Sequence, residues 1–303
     1  MEAGRHVGAR HAEARDWDAR DYAAHSSAQQ EWARELIDKL RLRGDEDVLD
    51  IGCGDGRATA LIAERLPEGS VLGIDNSASM IALAEEQFPP PALSASMPAP
   101  SASVEQPSAS PDGPSTARSA YSNLCFRRMD AARLELPRGF DVAFSNAALH
   151  WVDDHEAMLR GVRACLRPGG RLLFQMGGRG NAAEVRAVVD ALVAHPRWCD
   201  PFRGYSSPYH FCGPDEYEAW LPLAGFRMTR VELVDKDMQH ADAEAFRGWL
   251  RTTWFPYTDR LPVERRGDFL GDLTSAYLAA CPPDAEGVIH VRMVRLEVEA
   301  EVA

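Results

Sequence analysis

The stretch VLDIGCGDGRAT, residues 48–59, decides the fold of this chain. An apolar run of strand length leads into a loop with Gly52, Gly54 and Gly56, and a helical stretch near 57–66 follows. Glycines in such a loop let the backbone turn tightly and approach a ligand closely. The pattern therefore predicts a buried strand, a ligand-binding turn and a helix, which together form the first unit of a parallel sheet.

The same alternation of strands and helices continues on both sides of this stretch. The predicted strands lie at 48–51, 71–75, 123–130, 140–146, 171–176, 226–235 and 290–302. The predicted helices lie at 29–43, 57–66, 77–88, 155–166, 181–194, 242–253 and 263–280, and Ser77 is the candidate N-cap of the third. The alternation predicts an α/β fold with a doubly wound, Rossmann-like, mostly parallel sheet of seven strands. We expect the last strand to enter this sheet as the edge partner of a hairpin.

Residues 89–122 interrupt the pattern with a composition of mostly Pro, Ser and Ala. This segment holds eight of the twenty prolines of the chain. It buries too little apolar area to offset the entropy of ordering it, so the composition predicts a disordered surface insertion. The alternative is a docking segment for a partner.

Composition and charge limit the classes of function that are open to this protein. The net charge of −13 disfavours a nucleic-acid partner, because holding a polyanion usually needs a basic surface. No apolar run approaches the roughly 18–20 residues that span a bilayer, and residues 1–18 lack the apolar region of a secretory signal. We therefore expect a cytoplasmic protein that has no membrane contact. Nothing in the sequence requires a metal ion.

The glycine loop carries carboxylates that bear on the ligand. Asp50 and Asp55 flank it, and a dinucleotide fingerprint would need its third glycine where this chain has Arg57. Carboxylates repel a pyrophosphate but suit a ligand that carries an ammonium and a sulfonium, which favours S-adenosylmethionine over NAD. Asp75 ends the second strand, where a carboxylate can accept from both ribose hydroxyls.

Further cofactor contacts are predicted after the second and third strands. Asp130 is placed to accept from an adenine amino group, and Met80 and Ala131 are candidates to sandwich the adenine ring. For Asp75 and Asp130 the alternative role is a helix N-cap or a solvated strand end.

Four motifs in order, VLDIGCGDG, GIDNSASM, RMDA and LRPGG, resemble those of class I S-adenosylmethionine-dependent methyltransferases. Segments 17–33, 145–155, 175–181 and 251–262 resemble the trans-aconitate methyltransferase-like branch, which is also similar to juvenile-hormone-acid and malonyl-carrier-protein methyltransferases. The resemblance covers nearly the whole chain except 1–16 and the insertion. It implies methyl esterification of a carboxylic acid.

The resemblance also implies roles for single residues. Tyr22 and Gln29 should cover the methionine end of the cofactor, and Asn146 and Ala147 should lie along its backbone side. The full predicted cofactor set is Tyr22, Gln29, Asp50, Gly52, Gly54, Asp75, Asn76, Met80, Asp130, Ala131, Asn146 and Ala147. We expect a cofactor-covering segment at 1–28, the core at 29–180, and a lid lobe with the C-terminal strands at 181–303.

The acceptor side is predicted from the sequence SNAALHW at 145–151, which lacks the Asn/Asp-Pro-Pro-aromatic pattern of nucleobase amino methyltransferases. The candidate catalytic residues are His150, Trp151 and Arg251. His150 either binds an acceptor carboxylate, acts as general base toward a hydroxyl, or only fixes its loop. Trp151 forms a pocket wall or packs in the core. Arg251 binds a carboxylate in a bidentate way or forms a surface ion pair.

Aromatic side chains are the candidates for substrate binding. Tyr205 and Tyr209 come from the aromatic-rich stretch 198–220, and Trp254 and Tyr257 from a segment that resembles the lid of the family. They either line a substrate cavity or provide the ordinary packing of the lobe.

The sequence leaves several functions open beside carboxyl methylation of a small-molecule acid. One alternative is O-, N- or C-methylation of a secondary metabolite, and another is a non-catalytic, regulatory S-adenosylmethionine-binding protein. The six cysteines show no CxxC spacing and are predicted to be buried thiols of a reducing compartment. A thiol-dependent arsenic methylation site at Cys199 and Cys212 is the alternative for that pair.

Overall fold

A seven-stranded sheet forms the frame of the protein in the computed structural model, which describes residues 19–24, 27–89 and 121–303. The strands are β1 Asp47–Ile51, β2 Ser70–Asp75, β3 Leu124–Arg128, β4 Phe140–Asn146, β5 Leu166–Gly177, β6 Phe226–His240 and β7 Ile289–Val302. Their order across the sheet is β3-β2-β1-β4-β5-β7-β6. The predicted Rossmann-like fold is confirmed.

The position of the last strand was predicted wrongly. Strands β1 to β5 run parallel, and β7 lies antiparallel between β5 and β6, so the sheet ends in β6 and not in β7. Burial explains this order. From Met293 to Ala300 nearly every residue of β7 is buried, whereas many positions of β6 are exposed. The strand that is buried on both faces occupies the interior of the sheet.

Ten helices of the described residues surround this sheet. They are α1 Ala19–Ala24, α2 Ser27–Lys39, α3 Arg57–Ala63, α4 Ala78–Gln87, α5 His155–Cys165, α6 Ala183–Ala194, α7 Pro214–Leu223, α8 Ala243–Thr253, α9 Phe255–Thr258 and α10 Val263–Ala280. Ser77 caps α4 as predicted, because its hydroxyl accepts from Met80 N–H at 3.2 Å. Helix α7 begins within the stretch that the sequence showed only as aromatic-rich. It starts at Pro214, a favoured first helical residue.

Three apolar clusters hold the helices against the sheet. One covers the sheet face that packs on α5 and α7, and a second covers the opposite face under α2 and α3. The third lies among α6, α8, α9 and α10 and includes Met238 of β6 with Val291 and Met293 of β7. Helices α6, α8, α9 and α10 therefore form a helical lobe, which packs on the β6–β7 end of the sheet beside the carboxyl ends of β4 and β5.

The predicted insertion lies almost wholly outside the described residues, since 90–120 are not described. The rings of Phe88 and Tyr121, on its two sides, pack edge to face with centroids 5.4 Å apart. The chain therefore leaves α4 and returns to β3 at nearly the same place. In the residues that the structure describes, no helix has the length and apolarity needed to cross a membrane.

Candidate active site

In the loop after β1, Gly52 and Gly54 are required for different reasons. Gly52, Gly54 and Gly56 have φ values of +74°, +54° and +82°, which favour glycine. A Cβ on Gly52 would lie 2.1 Å from that of Ala148, so this glycine allows the loop to pack on the end of β4. A Cβ on Gly54 would meet nothing within 4 Å. Gly54 therefore faces open space, where the backbone can approach a ligand.

Asp75 is held between this loop and α4. Its Oδ2 accepts from Gly54 N–H at 3.0 Å, and its Oδ1 accepts from Ser77 N–H at 2.8 Å. Each carboxylate oxygen can accept more than one hydrogen bond. The fixed carboxylate suits a pair of ribose hydroxyls at the end of β2.

Asp50 is buried under the loop, and its Oδ2 accepts from the Thr59 hydroxyl at 2.7 Å. Burial, with a smaller contribution from the negative charge of Asp75, raises the pKa of Asp50 to about 7. Asp55, by contrast, forms an ion pair with Arg57, which offsets the charge that the sequence argument assigned to it. Of the two carboxylates that flank the loop, Asp50 is therefore the candidate for a cationic group of a ligand.

The adenine side is built from the ends of β2 and β3. Asp130 Oδ1 accepts from Ala132 N–H at 2.9 Å and caps a short 3₁₀ turn, so the capping role considered for this residue is present. Ala131 begins that turn, and the Asn76 carbonyl accepts from Arg128 Nε at 3.0 Å. Met80 is buried with Ala19 and Leu83, where α1 meets α4.

Helix α1 covers this region and is attached on both sides. Arg20 makes two hydrogen bonds to the carboxylate of Glu86 on α4, and Asp21 accepts two from Arg251 on α8. The predicted cofactor residues Tyr22 and Gln29 belong to α1 and α2, but their side chains lie outside the described residues. The open space at Gly54, the fixed Asp75 and the buried Asp50 fit an adenosine-containing cofactor with a cationic tail.

A cavity of about 70 Å³ lies beside the end of β4. Ala147 belongs to the predicted cofactor set and also lines this cavity, with a φ of +58° that is unusual for a residue other than glycine. Ala147 is followed by Ala148, against which Gly52 of the glycine loop packs, so the cavity adjoins that loop. The aromatic rings that line the cavity are Trp32, Trp151, Tyr209, Phe211, Trp249 and Trp254.

His150 lines the cavity and is partly buried. Its Nδ1 accepts from Gly177 N–H, with the two nitrogens 3.4 Å apart. Burial, and then the positive charge of Arg295, lower the pKa of His150 to about 3. The ring is therefore neutral at pH 7 with its proton on Nε2, which makes Nε2–H a hydrogen-bond donor.

Arg295 was missed by the sequence analysis and is the charged side chain that lines this cavity in the described part of the chain. It is 3% exposed, lies on β7 and pairs in register with Gly177 of β5. Its guanidinium carbon lies 5.5 Å from the centre of the Trp32 ring. Trp249 was also missed, and its Nε1–H is buried without a hydrogen-bond partner. Both residues stand at the junction of the sheet and the helical lobe.

Only some of the predicted substrate and pocket-wall residues line the cavity in the structure. Tyr209, Trp254 and Trp151 line the cavity. Tyr205 and Tyr257 do not, because their rings pack edge to face at 5.3 Å within the apolar cluster of the lobe, as the packing alternative held.

Arg251 is placed differently from its predicted role. It pairs with Asp21 and lines a larger open groove of about 890 Å³ along α8 and α10. The described lining of that groove includes no residue of the glycine loop and none at the ends of β2, β3 or β4. The surface ion pair considered as the alternative is thus the contact observed.

The two cysteines considered for thiol chemistry lie in different surroundings. Cys212 is buried against His155, with Sγ 3.8 Å from Nε2, and burial raises the pKa of Cys212 to about 11. Cys199 contacts the Pro196 carbonyl before a short 3₁₀ turn. All six cysteines are free, and among the described residues no group of three or more His, Cys, Asp or Glu side chains is arranged to hold a metal.

Comparisons with known proteins agree with this geometry. The family model described as a methyltransferase domain matches residues 49–174, from β1 through most of β5. The chain is 28% identical to the trans-aconitate 2-methyltransferase of Variovorax paradoxus (strain S110), over 89% of this chain and 92% of that protein. It is 29% identical to the enzyme of the same name from Methylobacterium radiotolerans, over 84% and 86%.

Solved structures show the same fold at low sequence identity. The YcgJ protein of Bacillus subtilis is 16% identical with a TM-score of 0.54, covering 90% of this chain and 98% of that one. A Haemonchus contortus phosphoethanolamine N-methyltransferase bound to S-adenosylhomocysteine is 16% identical with a TM-score of 0.53, over 94% and 56%. The [4+2]-cyclase SpnF, 17% identical with a TM-score of 0.53 over 91% and 82%, shows that this fold also serves another reaction.

The glycine loop, the carboxylates at the ends of β1 and β2, the methyltransferase domain match and the curated relatives all point to one class. The chain carries a methyltransferase domain over residues 49–174, and the protein is an S-adenosylmethionine-dependent methyltransferase.

Proposed function

We propose that the protein methylates the carboxylate of a small-molecule acid and forms a methyl ester. The observation that carries this proposal is the composition of the cavity beside the cofactor loop. It holds the buried guanidinium of Arg295 and the neutral ring of His150, and no Asp or Glu among its described lining residues. A guanidinium surrounded by aromatic rings favours an anionic group.

The curated relatives support the same acceptor. Their name, trans-aconitate 2-methyltransferase, refers to methyl transfer to trans-aconitate, which is a carboxylic acid. They align with about nine-tenths of this chain, so the alignment extends beyond the cofactor-binding core.

A carboxylate acceptor also agrees with the protonation states of the acceptor and of His150. A carboxylic acid has an ordinary pKa near 4 and is ionised at pH 7, so it needs no general base. A hydroxyl or amine acceptor does need one. His150 does not suit that role, because its Nδ1 is engaged by Gly177 and its pKa lies near 3.

The side chains of the cavity have positioning roles in this mechanism. S-adenosylmethionine supplies an electrophilic methyl group on its sulfonium. Arg295 and the Nε2–H of His150 bind one carboxylate oxygen and leave the other to attack. The aromatic walls exclude water from the reacting carboxylate, and alignment of this kind is a large source of rate enhancement.

Release of S-adenosylhomocysteine tests the proposal with a panel of acids, phenols and amines. We expect turnover with acids and a product that is hydrolysed by base, as a methyl ester is. Arg295→Met should abolish most of that turnover, whereas cofactor affinity measured by calorimetry should stay near the wild-type value. Turnover with phenols or amines and with no acid would contradict the proposal.

A further inference from the structure

The indole of Trp249 on α8 brings an unused hydrogen-bond donor to the acceptor cavity. The side chain lines the cavity and is 3% exposed, and its Nε1–H has no hydrogen-bond partner among the described residues. The hydroxyls of Tyr209 and Thr253 line the same cavity and are both engaged, since they donate to the carbonyls of Thr253 and Trp249. A buried indole N–H usually has an acceptor, so the donor of Trp249 calls for one.

Packing does not explain an indole at this position. A buried donor that has lost its hydration and gained no acceptor destabilises the folded state. A phenylalanine ring would fill much of the same space in the apolar cluster of the lobe and would carry no such cost. The nitrogen of Trp249 is therefore a feature that the free protein does not need for its own stability.

The indole is held in one orientation by its neighbours. Its ring stacks on that of Phe246 with centroids 5.8 Å apart, and the ring of His240 lies at 5.3 Å. The Thr253 hydroxyl donates to the Trp249 carbonyl at 2.6 Å and so supports the last turn of α8. A donor that is fixed in this way loses little entropy when it binds a ligand.

The donor also has a defined chemical preference. An indole nitrogen donates and does not accept, so it binds an oxygen lone pair and gives nothing to a protonated amine. His150 and Arg295 reach the cavity from the sheet, after β4 and on β7, whereas Trp249 reaches it from the helical lobe. A carboxylate in the cavity would thus be bound from the sheet and from the lobe.

We infer that Trp249 is an acceptor-binding residue, whose Nε1–H donates to a carboxylate oxygen of the acid while the other oxygen faces the methyl group of the cofactor. This inference rests on the proposed carboxyl methylation. It gives the helical lobe a part in aligning the acceptor, in addition to enclosing the site.

The indole proton resonances test this contact directly. The chain has seven Trp residues, and the resonance of Trp249 is identified by its loss in Trp249→Phe. The protein is saturated with S-adenosylhomocysteine and titrated at constant ionic strength with acetate, the smallest carboxylate that has a carbon body. We expect the Trp249 Nε1–H resonance to move downfield, because a hydrogen bond to an anion deshields the proton. Acetamide, which is neutral and of similar shape, should move it less.

Trp198 provides the internal control for this titration. Its Nε1–H already donates to Asp272 at 3.0 Å, and the described lining of the cavity does not include it. Its resonance should therefore stay in place. If acetate leaves the Trp249 resonance unmoved as well, the inference is overturned, whichever acceptors the enzyme methylates.

Turnover measures the consequence of the same contact. Trp249→Phe keeps an aromatic ring and loses the donor, so kcat/KM for acids should fall by about 10-fold to 100-fold, as expected for one hydrogen bond to a charged group. Trp198→Phe makes the same exchange elsewhere in the lobe and should keep kcat/KM near the wild-type value. Calorimetry with S-adenosylhomocysteine reports whether each variant retains a folded cofactor site.

The outcomes separate the inference from the function beneath it. If acids are methylated and folded Trp249→Phe retains the wild-type kcat/KM for them, the role of Trp249 is wrong and carboxyl methylation stands. If phenols or amines are methylated and no acid is, the proposed function fails together with the inference.

Discussion

Gly177 donates its backbone N–H to Nδ1 of His150, and this contact determines which ring nitrogen carries the proton. Gly177 ends β5 and pairs with Arg295 of β7, so the same residue links the histidine to the strand of the buried cation. His150 is therefore built as a hydrogen-bond donor and not as a base.

The first prediction concerns His150→Ala. We expect kcat/KM with an acid substrate to fall by about 10-fold to 100-fold, because one positioning hydrogen bond is lost and no proton transfer is removed. The pH–rate profile of the wild-type enzyme should show no limb from this histidine near neutrality, since its pKa lies near 3. A loss above roughly 10⁴-fold would instead indicate an essential base.

The second prediction concerns Gly54→Ala. A methyl group there would enter the space kept for the cofactor, and the backbone would be strained at φ +54°. Gly169→Ala is a matched control, because its φ is +76° and its Cβ would also meet nothing within 4 Å. Each should lose about 1–2 kcal/mol of stability. The cofactor Kd, measured by calorimetry, should rise at least about 10-fold in Gly54→Ala alone. Equal Kd values in the two variants would contradict this role for Gly54.

The third prediction concerns pH and Asp50. The pKa of this carboxyl is raised to about 7 in the folded protein, so it holds a proton below that pH. A cationic ligand binds the ionised form better, and cofactor affinity should therefore increase as the pH rises toward 7 and level off above it. Calorimetry between pH 5 and pH 8 measures this, and Asp50→Asn should remove the dependence. The same shift predicts that the stability of the free protein falls as the pH rises from about 4 to about 7.

The fourth prediction concerns Arg251. Its contact with Asp21 is half-exposed, and exposed ion pairs contribute about 0–1 kcal/mol. Arg251→Met and Asp21→Asn should therefore have the same small effects on stability and on turnover. A much larger loss of turnover in Arg251→Met, with Asp21→Asn unaffected, would return Arg251 to the acceptor site.

The local structure of the glycine loop and its flanking strand ends could be predicted from sequence because the signals are local. Glycines, strand ends and caps are read within a few positions, which is how Gly54, Asp75 and Ser77 were found. The charge of the loop was predicted only in part, because the ion pair between Asp55 and Arg57 depends on side-chain geometry.

The acceptor half depends on contacts between distant parts of the chain. Arg295 shares its strand face with Val291 and Met293, which are buried in the lobe, but Glu297 and Glu299 follow on the same face, so no local pattern distinguishes Arg295. The location of Arg295 in the acceptor cavity follows only from the position of β7 between β5 and β6. Hydrophobic periodicity does not encode which strands pair with each other. For the same reason the sequence analysis predicted β7 at the edge of the sheet.

The insertion of β7 beside β5 sets an order of assembly during synthesis. The cofactor loop leaves the ribosome roughly 240 residues before Arg295, and the register partner Gly177 roughly 120 residues before it. A nascent chain thus carries a nearly complete nucleoside-binding half while the neighbouring β5 edge stays open to other strands. Only the emergence of β7 closes that edge, and the same event delivers the guanidinium.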